Sequence, residues 1–222
     1  MRQIFLDTET TGLDPNQGHR VIEIAAVEMN NRQLTTNHYH TYLNPGRNID
    51  PAAQEVHGIT LDFLQDKPIF KDIAVEFLNF IKDSEIIIHN APFDVGFLNM
   101  ELEKISFDKL EIHSVSIFDS LKLAKEIRPG QRNNLDALCR SYNIDNTSRS
   151  FHGALLDAQL LGDVYVAMTR GQEAFSIDFA QSSHNINLED VDQDGLIVTT
   201  PNNSELQAHN DYISSLETPD NQ

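Results

Sequence analysis

Two acidic side chains come directly after a short apolar run near the start of the chain. The run is Ile4-Phe5-Leu6, and Asp7 and Glu9 follow it two residues apart. A continuous apolar run predicts a buried strand, and alternate residues of a strand share a face, so the two carboxylates are expected side by side. Neighbouring carboxylates repel one another unless one is protonated or a cation lies between them. The pair predicts either a site for Mg²⁺ or Mn²⁺, or two solvated acids at a strand end.

A third carboxylate falls within the apolar face of a later predicted helix. The helix is expected over about residues 153–169, and Asp157 stands among Ala154, Leu161 and Val164 on its apolar face. Burying an unpaired carboxylate costs several kcal/mol. Asp157 therefore needs a compensating partner, which could be a basic side chain or a metal ion.

Two further residues could complete such a site. Asp94 lies in the first turn of a helix predicted from residue 91 to about 105, where the helix dipole also favours an acid. His152 precedes Asp157 by five residues, and a neutral imidazole can take a proton from water near neutrality. Taken alone, Asp94 could be a helix-start acid and His152 a capping residue. Taken with the three acids above, they predict one site at the edge of a sheet.

The elements that must position these residues are predicted from hydrophobic periodicity. Strands are expected at residues 4–6, 21–29, 34–43, 85–89 and 112–118, and helices at 70–82, 91–105, 119–127, 134–142 and 153–169. Strands first, followed by alternating helices and strands, are typical of a mixed sheet covered by helices. The predicted fold class is therefore α/β, with a mixed five-stranded sheet flanked by helices.

Composition excludes several classes of protein. The single cysteine, Cys139, permits no intrachain disulfide and is expected to be a buried thiol in a reducing compartment. The N-terminus shows no signal-peptide pattern, and no apolar run approaches the ~20 residues of a membrane span. The net charge of −18 disfavours general binding to nucleic acid. An enzyme of nucleic acid with this composition would need metal ions or a tethering partner.

The charge divides the chain into two unequal parts. Residues 1–170 contain all 16 Lys and Arg and carry −8, whereas residues 171–222 have no Lys or Arg and carry −10. This shift predicts a folded domain over 1–170 and a flexible acidic tail. In the tail, a linker is expected over 171–195. A capping box, Ser204-x-x-Gln207, predicts a short helix in 196–222 that folds on a partner, the alternative being a disordered tail.

Three motifs resemble those of the DEDDh class of 3′→5′ exonucleases, which have a ribonuclease H-like fold. They are Asp7-Thr8-Glu9-Thr10-Thr11-Gly12-Leu13, His89-Asn90-Ala91-Pro92-Phe93-Asp94 and His152-Gly153-Ala154-Leu155-Leu156-Asp157. Within this class, Val56-His57-Gly58-Ile59, the segment from Asn133 to Cys139 and the tail resemble the proofreading exonucleases of bacterial replicative DNA polymerases. The resemblance implies a cytoplasmic bacterial enzyme that removes mispaired 3′-terminal nucleotides from DNA and releases nucleoside 5′-monophosphates.

The resemblance also implies roles for individual residues. Two divalent ions, Mg²⁺ or Mn²⁺, would be held by Asp7, Glu9, Asp94 and Asp157, with His152 as the general base. The substrate would contact Asp7, Glu9, Thr10, Leu13, His57, Phe93 and Asp157. From the sequence alone, His57 is expected to be an exposed loop residue, because it is polar and Gly58 follows it.

Partners are implied for the tail. Gln172, Phe175 and Ile177 resemble the sliding-clamp-binding peptide Gln-x-x-apolar-x-aromatic, although Ile stands at the aromatic position. The segment 196–222 would bind the polymerase catalytic subunit, and a small accessory subunit is a further candidate partner.

Three other interpretations remain open at this point. A stand-alone DEDDh exonuclease of the oligoribonuclease or RNase T kind would share the catalytic residues but would not need the tail. The Asp7-Thr8-Glu9-Thr10 segment is faintly similar to the Asp-x-Asp-x-Thr of aspartyl-phosphate phosphatases, which Glu9 and the His152–Asp157 pair fit poorly. A degenerate nuclease fold serving only in assembly is disfavoured, because every acid of the metal set is present.

Overall fold

The structure is a computed structural model that describes residues 2–147, 151–170 and 201–216. The predicted clamp-binding residues Gln172, Phe175 and Ile177 and the predicted linker at 171–195 lie outside the described residues.

The strands form one mixed sheet. Their bounds are β1 Arg2–Thr10, β2 Val21–Asn30, β3 Gln33–Tyr42, β4 Glu85–Ile88 and β5 Ser116–Asp119. The order across the sheet is β3-β2-β1-β4-β5. The first three strands pair antiparallel, and β4 and β5 continue the sheet with parallel pairing. This arrangement confirms the predicted five-stranded mixed sheet.

Helices cover both faces of the sheet. They are α1 Pro51–His57, α2 Leu61–Leu64, α3 Phe70–Ile81, α4 Ala91–Lys104, α5 Leu110–His113, α6 Ser120–Ile127, α7 Leu135–Tyr142 and α8 Ala154–Thr169. Ile4 and Leu6 of β1 belong to the core cluster that contains α3 and α4, whereas Phe5 belongs to the cluster that contains α7 and α8. Because alternate residues share a face, Asp7 and Glu9 leave β1 on the side of Phe5.

The predicted fifth strand at 112–118 is wrong over its first half. The chain forms the helical turn α5 at Leu110–His113, and β5 begins only at Ser116. Leu110 is fully buried and anchors the turn, whereas Ile112 is exposed, so the apolar residues here do not alternate along a strand. The parallel register with β4 starts at the pair Glu85 and Ser116.

Helix α1 was not predicted from the sequence, although its boundary signals are present. Asp50 is the N-cap, Pro51 is in the first turn, and Gly58 ends the helix with a φ of 71°. A positive φ at this position suits glycine, which has no Cβ. Only Val56 in the helix is strongly apolar, so hydrophobic periodicity gave no signal.

The described part of the tail forms the helix α9, Asn203–Leu216. A capping box starts it two residues earlier than predicted. The backbone N–H of Glu205 donates to Asn202 Oδ1 at 3.0 Å, and the backbone N–H of Asn202 donates to Glu205 Oε2 at 2.9 Å. The predicted box at Ser204 and Gln207 is therefore wrong, since Asn202 is the better-placed acceptor. None of the described helices combines the length and the apolar composition that a membrane span needs.

Candidate active site

The structure brings the five predicted catalytic and metal-binding residues to one cavity of about 240 Å³. Asp7 and Glu9 come from the C-terminal end of β1, Asp94 from the first turn of α4, and Asp157 from the first turn of α8. His152 lies just before α8 and also lines the cavity. The elements meet here because β1 is the central strand and α4 and α8 both begin beside its C-terminal end.

Three of these residues are close enough to share one ion. Ligand atoms of Glu9, His152 and Asp157 all lie within 4.8 Å of one another. His152 Nδ1 lies 3.6 Å from Asp157 Oδ2. The Asp157 side chain is almost fully buried, as its position on the apolar face of the helix predicted.

Asp94 is buried beside β1. Thr8 donates a hydrogen bond of 2.7 Å from Oγ1 to Asp94 Oδ1. Burial raises the pKa of Asp94 to about 7, although the hydrogen bond from Thr8 acts in the opposite direction. The carboxyl group of Asp94 is therefore held where its negative charge is unfavourable without a nearby cation.

The donor set of this cavity fits divalent cations. Its described lining includes the carboxylates of Asp7, Glu9, Asp94, Asp136 and Asp157 but no Lys or Arg. Carboxylates that share a site repel one another, and oxygen-rich sites are those that Mg²⁺ and Mn²⁺ prefer. A divalent ion at this edge would supply the compensating charge.

A second cavity, of about 380 Å³, adjoins the first. Thr8, Glu9 and Phe93 line both cavities. The second cavity is also lined by Thr10, Leu13 and His57, so each residue expected to contact the substrate lines one cavity or the other. Its wall is mostly apolar, and Leu13 projects from a loop with 83% of its surface exposed. The two cavities thus bring carboxylates and an apolar recess next to one another.

The expectation that His57 is an exposed loop residue is wrong. His57 is the last residue of α1 and is buried. Its Nδ1 accepts a hydrogen bond of 3.0 Å from the backbone N–H of Ile59, so in the neutral ring Nε2 carries the proton. Nε2 is buried, and the backbone of Thr10 lies close enough to the ring to act on its pKa. Burial lowers the pKa of His57, which favours the neutral ring.

The loop after β1 is held by His19. His19 Nδ1 lies 3.1 Å from Thr11 Oγ1, and Nε2 lies 3.5 Å from Asp50 Oδ2 at the start of α1. The ring packs so closely on Gly12 that a Cβ there would lie 2.3 Å from a ring carbon. His19 therefore fixes the loop that carries Leu13 to the helix that carries His57.

The first cavity, which contains the carboxylates, is the carboxylate cavity. Several residues that line it were not predicted from the sequence as site residues. They are Thr8, His89, Asn90, Asn134, Leu135 and Asp136. His89 Nδ1 lies 2.9 Å from Ser120 Oγ, and burial lowers the pKa of His89. The alternation along β1 could have identified Thr8, because it faces the side of the sheet on which α4 packs. Asn134 and Asp136 are near the site only through the tertiary fold.

The chain belongs to the exonuclease family, whose model matches residues 4–165, and within it to the DNA polymerase III epsilon subunits. It is 46% identical to the DNA polymerase III subunit epsilon of Rickettsia felis over 222 residues, covering 97% of both chains. It is 44% identical to that of Pasteurella multocida, covering 96% of this chain and 88% of the relative. Identity with that of Salmonella typhimurium is 51%, over 79% of this chain and 74% of the relative.

Solved structures show the same fold. Exonuclease X in complex with 5′ overhanging duplex DNA superposes with a TM-score of 0.61 and 23% identity, covering 77% of this chain and 93% of that one. A full-length 3′-exonuclease gives a TM-score of 0.66 and 17% identity, covering 77% and 82%. The predicted ribonuclease H-like fold and the prediction of a 3′→5′ proofreading exonuclease are confirmed. The stand-alone exonuclease and phosphatase interpretations are disfavoured.

Proposed function

We propose that the chain hydrolyses the 3′-terminal phosphodiester of a DNA strand with the aid of two divalent ions, Mg²⁺ or Mn²⁺. The observation that carries this proposal is the collection of buried or half-buried carboxylates in one cavity whose described lining contains no Lys or Arg. The bond that breaks would join the phosphorus to O3′ of the preceding nucleotide. The phosphate then stays on the 5′ oxygen of the released nucleoside, so the product would be a nucleoside 5′-monophosphate.

Asp7, Glu9, Asp94 and Asp157 would hold the ions. When bound, the ions lower the pKa of water and offset the negative charge that develops on the phosphate. The carboxylates fix where that charge is offset, and Thr8 keeps the Asp94 carboxylate oriented through its 2.7 Å hydrogen bond.

His152 would act as the general base. Its Nδ1 faces Asp157 at 3.6 Å, so Nε2 is the nitrogen that takes the proton of the attacking water. About 45% of the side chain is exposed, so water can reach it. The negative charge of Asp157 stabilises the imidazolium that results.

The second cavity, whose wall is mostly apolar, is the apolar cavity. It would bind the 3′-terminal nucleotide. Leu13, Val56 and Phe93 offer surfaces for a base and its sugar, and they carry no hydrogen-bonding group that distinguishes one base from another. The neutral ring of His57 also lines this cavity and would contact the sugar of that nucleotide. Such a site accepts any unpaired terminal nucleotide.

Preference for mispaired ends would then come from the DNA itself. Only a few nucleotides of a frayed end need to enter the two cavities, and a mismatched end unpairs at lower cost than a matched one. Weak binding by this acidic protein suits an enzyme that is delivered to its substrate by partners.

The test is a timed digestion of a 5′-labelled primer with Mg²⁺, with Mn²⁺ or with EDTA. Paired, mispaired and RNA ends are compared in one assay, with Asp157→Asn as the inactive control. We expect stepwise shortening from the 3′ end, faster on the mispaired end, and none in EDTA. Equal hydrolysis of paired and mispaired DNA would contradict the proposed source of selectivity, and digestion in EDTA would contradict the role of metal ions.

The tail would bind the polymerase catalytic subunit. The alignment with the Rickettsia felis relative covers 97% of this chain, so it extends into α9, and that helix exposes Leu206, Tyr212 and Ile213. An isolated helix of this length is marginal in water and gains stability by docking an apolar face. Truncation after residue 170 is expected to keep exonuclease activity and abolish co-purification with the catalytic subunit. Undiminished co-purification would refute the role of the tail.

Binding of the sliding clamp through Gln172, Phe175 and Ile177, and binding of a small accessory subunit, remain predictions. Replacing Gln172 and Phe175 by Ala in the full-length chain is expected to weaken capture by immobilised clamp and to leave hydrolysis of short primers unchanged. Equal capture of the variant would rule out this motif.

A further inference from the structure

We propose that Glu23 is a positioning residue for this reaction, because it anchors the start of the helix that carries Asp157. Glu23 lies on β2, and only 2% of its side chain is exposed. It is not among the residues that line the carboxylate cavity in the described part of the chain. The inference rests on the roles proposed above for His152 and Asp157.

The Glu23 carboxylate uses its two oxygens for two different partners. Oε1 lies 2.7 Å from His40 Nε2 on the neighbouring strand β3. Oε2 accepts a hydrogen bond of 3.2 Å from the backbone N–H of Ala154, the first residue of α8. Tyr42 is also close, since burial raises the pKa of Tyr42 and the charge on Glu23 raises it further. These contacts compensate the burial of the carboxylate.

Helix α8 needs this remote acceptor at its start. Its N-cap residue, Gly153, has no side chain and makes no capping hydrogen bond. The first N–H groups of a helix have no acceptor within the helix, and a negative charge beside them is favourable. Glu23 supplies the acceptor from a strand 131 residues earlier in the chain. The start of α8 is therefore fixed to the sheet.

The anchored segment carries two residues of the proposed mechanism. His152 is two residues before Ala154, and its backbone N–H donates to the carbonyl oxygen of Val56 at 3.1 Å. The segment is thus held on both sides of Gly153, by α1 before it and by Glu23 after it. Because a displacement of about 1 Å can cost roughly 100-fold in rate, loss of the Glu23 anchor is expected to act on turnover.

The strand register explains why Glu23 and Glu9 have different tasks. They are direct partners in the antiparallel β1–β2 ladder, so their side chains leave the sheet on the same face. Like charges directly opposite one another destabilise a sheet. Glu23 is compensated by His40 and by the start of α8, and Glu9 is the one of the two that lines the carboxylate cavity.

Two substitutions separate the length of the Glu23 side chain from its charge. Glu23→Gln keeps the length, so the amide oxygen can accept from Ala154 while the amide N–H donates to His40. Glu23→Asp keeps the charge but is one methylene shorter, so it cannot reach both partners. We expect kcat on a mispaired primer to stay within about threefold for E23Q and to fall at least about tenfold for E23D, with KM changed less than about threefold in both.

Glu28 offers a matched control on the same strand. It is a buried glutamate paired with Arg2 at 2.6 Å, and it is not among the residues that line either cavity at the end of β1. Glu28→Asp weakens that pair and is expected to lower the melting temperature while leaving kcat unchanged. Amide hydrogen exchange at Ala154 gives a readout that does not depend on activity. It is expected to be slow in the wild type and E23Q and at least about tenfold faster in E23D.

Wild-type turnover in E23D, or an equal loss of kcat in E28D, would overturn the positioning role. Faster exchange at Ala154 with unchanged kcat would also overturn it, because Glu23 would then cap the helix without placing the site. A wild-type protein that hydrolyses no DNA would instead contradict the proposed function. In that case the exchange experiment would still report on the anchor.

Discussion

The two cavities at the end of β1 share a wall and differ in chemistry. Thr8, Glu9 and Phe93 line both, but one continues into carboxylates and the other into Leu13, His57 and further apolar side chains. The strand register shifts between Glu9 and Thr10, at the boundary between the two. A bulge of this kind turns successive side chains away from regular alternation. One strand thereby serves both a centre for hydrolysis and a recess for recognition.

This contrast predicts separate kinetic effects. A change in the carboxylate cavity removes stabilisation present only in the transition state, so it lowers kcat. A change in the apolar cavity weakens ground-state and transition-state binding alike, so it raises KM. A variant in either cavity that changes kcat and KM by similar factors would contradict this separation of effects.

The largest effect is expected for Asp157→Asn. It removes a proposed ion ligand, and we expect kcat to fall at least about 1,000-fold, equivalent to roughly 4 kcal/mol of transition-state stabilisation. The fold should persist, since a neutral amide is less costly to bury than a charge. Asp163→Asn, an exposed position on the same helix, is the control and should retain full activity. Near-normal hydrolysis by D157N would contradict the division of tasks.

His152→Ala is expected to have the next largest effect. Loss of a general base costs roughly 100-fold or more in turnover, whereas DNA affinity should change less than about threefold. Single-turnover rates at saturating primer, together with binding measured in EDTA, separate the two quantities. A large loss of affinity with intact turnover would place His152 in recognition.

Asp94 is expected to make the metal-free protein less stable as pH rises. Its folded-state pKa of about 7 lies above the unfolded value of ~3.9, so the folded protein binds more protons between these values. Its contribution is fully present below about pH 4 and is lost progressively as pH rises from about 4 to about 7, by roughly 4 kcal/mol. Denaturant unfolding in EDTA should show this decline, and Asp94→Asn should flatten it. Asp66→Asn, at an exposed position, should not. An unchanged slope in D94N would show that Asp94 is not the group responsible.

The smallest effect is expected for Leu13→Ala in the apolar cavity. Leu13 is 83% exposed, so its removal should not destabilise the fold. We expect KM to rise about fivefold, roughly 1 kcal/mol, with kcat nearly unchanged. Ile112→Ala, an exposed apolar residue that lines neither of these cavities, is the control. A fall in kcat without a change in KM would move Leu13 from recognition to chemistry.

The carboxylate cavity could be predicted largely from the sequence, because its signals are local. Asp7 and Glu9 follow a buried strand, and Asp157 interrupts an apolar helical face. The negative charge of each carboxylate is therefore unfavourable at its position unless a cation or another partner offsets it. The helices at 70–81 and 154–169 were also predictable, since their apolar residues recur at helical spacing.

The apolar cavity was less predictable, because burial there depends on tertiary contacts. His57 follows a segment with few apolar residues, and the fold buries it through the packing of α1 beside β1 and the segment before α8. The hydrogen bond between Thr8 and Asp94 joins residues 86 positions apart. The link from Glu23 to Ala154 spans a still longer stretch. No pattern within one element indicates such pairs.

The central claim is that the carboxylates are gathered to hold divalent cations, and calorimetric titration tests it most directly. Mn²⁺ or Mg²⁺ is added to metal-free protein near neutral pH, with a nucleoside 5′-monophosphate present, in two buffers of different ionisation enthalpy. We predict uptake of two ions per chain with release of protons, because ligands such as Asp94 must be deprotonated to bind. Uptake should weaken strongly in D157N and persist in D163N. No uptake by the wild type, or equal uptake by D157N, would contradict the account.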